Sequence, residues 1–199
     1  MLFFFLKIYY NLFRIKVVIM DYSKLIKISL SSNPNLTEEI REKLYSLVVI
    51  LNKKIPEANL SKLNDKLSSV KINKMGILER KGTYFYDINK NEILFSKRLK
   101  GNYDIDHLLM KALLEMSTCT GTYTGFNNDD RLLALNQAYT EILANYIIGN
   151  EGESDLEEEM LITNLLSYII GKDVLFNAYF TNNGDPIIQA LQEAEVGMI

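Results

Sequence analysis

The sequence predicts a mainly helical α+β domain, and three observations carry that prediction. Apolar residues recur at spacings of three and four over most of the chain beyond residue 35, which is the helical period. One stretch, residues 82 to 96, switches to alternation around a polar turn and reads as a small β-hairpin. The composition, 48% hydrophobic and 24% charged over 199 residues, is that of a globular protein with enough chain to bury one core.

Residues 1–19, "MLFFFLKIYYNLFRIKVVI", are more hydrophobic than anything after them and end at a second methionine, Met20. Lys7, Arg14 and Lys16 argue against a membrane span, since each cation near the bilayer centre costs about 2.5 to 3.5 kcal/mol. No basic residue precedes the apolar run and no small-residue cleavage site follows it, so it makes a poor signal peptide. The segment is expected to be an N-terminal extension outside the fold, with residues 20–199 forming a single domain. Two readings compete with this one: a first core strand, and a membrane-surface helix with Lys7, Asn11 and Arg14 on one side.

Asn35 and Thr37 offer N-caps after Pro34, and Ile40, Leu44, Leu47, Val48 and Leu51 continue as a helix to about Lys54, before Pro56. Leu60, Leu63, Leu67 and Val70 mark a shorter second helix. In the hairpin, Tyr84, Tyr86 and Ile88 alternate before the turn at 89–91, and Ile93 and Phe95 alternate after it. The next helix spans about Ile105 to Thr118 on Ile105, Leu108, Leu109, Ala112, Leu113 and Met116. Asn128 or Asp129 is expected to cap the one after it, which shows Leu132, Leu135, Tyr139, Ile142, Leu143 and Tyr146 on one face and stops at Gly149. A capping box from Ser154 to Glu157 opens a helix that ends near Gly171, its acidic first turn favoured by the helix dipole. Two short helices follow, the last started by Asp185 and Pro186.

Several function classes are excluded or weakened. A net charge of −3 without a basic, aromatic-studded face supplies no nucleic-acid footprint. The single cysteine, Cys119, permits no intrachain disulfide and reads as a small residue near a helix end; the expected location is cytoplasmic. The single histidine, His107, reads as a helix-start residue with one ring nitrogen in water. No nucleophile dyad, phosphate loop or dinucleotide fingerprint occurs.

One pattern carries chemistry, by resemblance. The helix string "KALLEMST" (111–118) is similar to the H-E-x-x-H helix of zincin metallopeptidases, and "NQAYTE" (136–141) is similar to the N-E-x-x-[ST]-[DE] helix of their glutamate-zincin branch. In that family both histidines and the later glutamate bind zinc, and the first glutamate is the general base. Here Lys111 and Glu115 occupy the histidine positions, Ala112 the base position and Gln137 the third-ligand position. The resemblance therefore implies a zincin-like fold, with the hairpin as edge strand above the cleft, whose catalytic residues and metal ligands have all been replaced. A protonated ammonium cannot coordinate a cation, and alanine cannot accept a proton.

The reading that follows is a pseudoenzyme: a metallopeptidase-like protein without catalysis, metal or cofactor, keeping its cleft for a protein or peptide ligand or serving a structural role. In the degenerate site, Lys111 is expected to stand where the ion stood, bridging the two helices through Glu115 and Glu141 while Gln137 satisfies a remaining donor. Three other readings remain: an ordinary surface pair of Lys111 with Glu115, a Mg- or Mn-dependent enzyme using Glu115, Glu141 and Asp104 or Asp106, and a protein-interaction module built on its 12 Tyr and 9 Phe.

Overall fold

The computed structural model describes residues 22–75, 83–96, 104–126, 131–149 and 154–196. The expected extension at 1–19 and the expected caps Asn128 and Asp129 lie outside them. Among the described residues the chain forms 8 helices and a three-stranded mixed sheet.

Helix α1, residues 22–32, was not evident from sequence; it buries Ile26 and Leu30, four residues apart, on one face. Asn33 then turns the chain. Fully buried, it donates to the carbonyls of Leu67 and Val70 at 3.0 Å each and accepts from the Asn35 amide at 2.9 Å. Helix α2 (Glu38–Lys54) is capped by Thr37, not Asn35, and buries Leu44, Leu47, Val48 and Leu51. Helix α3 (Leu60–Leu67) is capped by Asn59 and buries Leu60, Leu63 and Leu67; Val70 belongs to the core but lies beyond the helix.

The sheet has one strand more than the hairpin. Strands β2 (Tyr84–Asp87) and β3 (Glu92–Phe95) pair antiparallel with Tyr84 opposite Phe95, and β1 (Lys71–Lys74) lies parallel to β3 on its other side. Among the described residues the order β1-β3-β2 leaves β2 at an edge. β1, "KINK", carries one apolar residue, and only its pairing with β3 makes it a strand.

Helix α4 (Ile105–Thr118) is the centre of the molecule, packing against α2, α3, α7 (Lys172–Thr181), β2 and α5 (Leu133–Ile148). Buried side chains surround it on nearly every side, as expected of a central helix. Asp104 caps its first turn. Helix α5 begins at Leu133, behind Leu132, and ends at Gly149 in the left-handed region. Its buried face includes Asn136, Tyr139, Thr140, Glu141, Leu143 and Ile147, while Tyr146 points to solvent, so the expected stripe was rotated. Helix α6 (Glu157–Ile170) starts behind Leu156 with no side-chain cap; Ser154 Oγ instead accepts from the Leu156 amide, so the expected box to Glu157 does not form. Helix α8 (Asp185–Val196) closes the described chain. No described helix is long and apolar enough to cross a membrane.

Candidate functional site

Helices α4 and α5, strand β2 and the turn leading into α6 enclose a cavity of about 450 Å³. Leu108, Lys111 and Glu115 reach it from α4, where spacings of three and four place them on one stripe. Asn136, Gln137, Thr140 and Glu141 reach it from α5, and Thr83 to Asn89 border it from β2 and its turn.

The site's strongest contact joins the two helices. Lys111 Nζ donates to Glu141 Oε2, with only 13% of the lysine side chain and 2% of the glutamate exposed. The same ammonium lies 5.2 Å from the centroid of the Tyr84 ring, a cation–π contact. On the other carboxylate oxygen, His107 Nε2 stands 3.4 Å from Glu141 Oε1. Burial holds the His107 imidazole below its usual range, against the pull of Glu141. His107 is thus buried, correcting the expected solvent-facing ring.

Glu115 is directed elsewhere. Its carboxylate accepts from the Tyr84 hydroxyl instead of holding Lys111. Burial pushes the Glu115 carboxyl up to about 7, although the Tyr84 bond and the charge of Lys111 both oppose this. Burial and the Glu115 charge push the Tyr84 phenol well above its usual range, so it remains a donor. The expected three-way bridge is therefore divided: Lys111 joins α4 to α5, and Glu115 joins α4 to β2.

The remaining predicted positions separate. Ala112 is fully buried and faces the core instead of the cavity. Gln137 is exposed at the cavity's border and makes no side-chain hydrogen bond with the cluster, so it does not satisfy the expected donor. Asp104 caps α4, accepting from the Asp106 amide at 2.9 Å, and Asp106 pairs with Lys43; neither joins Glu115 and Glu141. Sequence reasoning missed Tyr84, His107 as a neighbour of Glu141, and the structural roles of Asn136 and Thr140. Asn136 Oδ1 accepts from the Phe126 amide at 3.1 Å, and the Thr140 hydroxyl meets the Tyr179 hydroxyl at 2.9 Å. Their place in "NQAYTE" was the signal, read there for chemistry and not for packing.

The donor set does not fit zinc. Among the described residues no three of His, Cys, Asp and Glu are grouped to hold a metal ion, and an ammonium bonded to Glu141 occupies the stripe. What the arrangement offers is a cavity of mixed polar and apolar lining beside an edge strand. Ser96 donates to the Thr83 carbonyl at 2.9 Å, so Thr83, Phe85 and Asp87 direct their backbone toward β3. Tyr84 and Tyr86 direct theirs to the outer edge. No protein-family model, curated protein or solved structure matches the chain.

Proposed function

We propose that this protein is a catalytically inactive metallopeptidase-like protein that holds an extended peptide along β2, over the cavity, without cleaving it. The observation that carries the reading is the Lys111–Glu141 ion pair, at motif positions where the resembling peptidases keep a zinc ligand and a helix carboxylate. The pair links α4 to α5 through side chains of the chain itself, and position 112, an alanine turned to the core, supplies no base. The outward backbone of Tyr84 and Tyr86 supplies the hydrogen-bonding groups by which a peptide adds as a strand, with alternate side chains falling into the cavity.

Purified protein supplied with excess zinc is expected to release no fragments from a fluorogenic peptide library, yet to retain members of a random peptide array. Methylating alternate amide nitrogens of a retained peptide abolishes retention, because strand addition uses every second amide. Hydrolysis, or retention that survives methylation at every amide, contradicts the reading.

A further inference from the structure

The apolar face of α6 points away from the core. Leu161, Ile162, Leu165, Tyr168 and Ile169 are between 55% and 77% exposed, whereas the opposite face buries Thr163, Ser167 and Ile170. The two buried hydroxyls are satisfied within the helix, Thr163 on the Glu159 carbonyl at 2.7 Å and Ser167 on the Asn164 carbonyl at 2.6 Å. A helix that turns hydroxyls inward and large aliphatic side chains outward has a partner for the outward face.

The geometry points to a second copy of this chain, docked antiparallel on α6 about a twofold axis through Leu165. Leu161, Leu165 and Tyr168 follow the four-then-three spacing of a helix–helix seam. Antiparallel pairing sets Leu165 against Leu165, Leu161 against Ile169 and Ile162 against Tyr168, so each apolar residue meets another. The ends match in charge as well. Glu157 and Glu158 are exposed at the start of α6, and Lys172 is exposed just past its end. Lys172 reaches the Tyr168 ring at 5.5 Å, but neither it nor Glu158 has an ion-pair partner among the described residues. The antiparallel arrangement brings Glu158 of one copy to Lys172 of the other and opposes the two helix dipoles. A parallel pair would instead set glutamates against glutamates.

Side chains of this size carry on the order of 200 Å² each, so the five offer roughly 500 Å² per copy, near the lower bound for a specific interface. A reversible dimer is the consequence. The proposal does not depend on the peptidase-like reading of the cavity.

Sedimentation velocity on the full chain is expected to show a species of twice 22.9 kDa at concentrations up to about 0.2 mM. Leu165→Glu makes it monomeric with its circular dichroism unchanged, because the residue is exposed in the single chain. Leu165→Cys cross-links to itself on oxidation. Glu158→Lys and Lys172→Glu each weaken the dimer about three- to tenfold, and combining them restores it. A monomer throughout that range overturns the proposal, as does a dimer indifferent to Leu165→Glu or a double charge exchange that fails to restore association.

Discussion

Lys111 and Glu141 form a nearly enclosed ion pair, and such a pair is worth most when one member is lost. Replacing Lys111 with methionine leaves a buried carboxylate facing only His107, and is expected to cost about 3 to 5 kcal/mol in chemical denaturation. Adding Glu141→Gln should recover part of that loss, since no unpaired charge remains. An unchanged midpoint in Lys111→Met would show the pair to be idle. Glu115 makes a separate prediction. Its folded carboxyl is raised to about 7 from an ordinary 4.5, so the fold favours the protonated form. The corresponding stability is fully present below the unfolded value and is lost as pH rises through about 7, on the order of 3 kcal/mol across the interval. Glu115→Gln, which keeps an acceptor for Tyr84, should therefore exceed the wild type in stability at pH 8 and match it at pH 4. Equal differences at both values would contradict the assignment. The pairing of Glu115 with Tyr84 was not legible in sequence, because the two lie 31 positions apart and nothing local joins hairpin to helix.

Elements were legible where their ends carry local chemistry. The bounds of α4 follow from its apolar stripe from Ile105 to Met116, and those of α2 from Thr37 at its start and Pro56 just past its end. Where tertiary pairing decides, sequence was silent: β1 is a strand through β3, and α1 shows only Ile26 and Leu30 inward. The rotated face of α5 has a similar cause, since its buried side includes Asn136, Thr140 and Glu141, polar residues that a hydrophobic stripe omits. The loop between α4 and α5 is held by such groups. Gly125 donates to Thr118 Oγ1 at 2.9 Å, and Asn182 Nδ2 donates to the Gly125 carbonyl at 2.8 Å. Gly125 has φ +56°, and a Cβ there would lie 2.0 Å from Asn136 Oδ1 and 2.5 Å from the Tyr179 ring. Gly125→Ala is expected to destabilise by at least about 2 kcal/mol through strain and overpacking. A loss within experimental error would mean that the loop is not fixed as described.

At the scale of the whole molecule, a helical α+β body was legible from periodicity, while the arrangement around α4 follows from packing across it. The cavity lies where α4, α5 and β2 converge, and three of its charged residues, Lys111, Glu115 and Glu141, sit at positions the peptidase resemblance singled out, while Asp87 and Asp155 do not. Lys111 and Glu141 meet there, Glu115 turns to the sheet, and Ala112 faces inward. This last placement shapes the decisive experiment, because a glutamate at position 112 would be buried in the core and is best left out. If Lys111 stands, as proposed, on a scaffold laid out for a metal ion, restoring the ligands should restore the metal. Zinc titration by calorimetry of the triple variant Lys111→His, Glu115→His and Gln137→Glu tests it most directly, with folding checked by circular dichroism and the wild type as reference. The account predicts one zinc bound per chain in the variant and none in the wild type; a folded variant that takes up no zinc would contradict it.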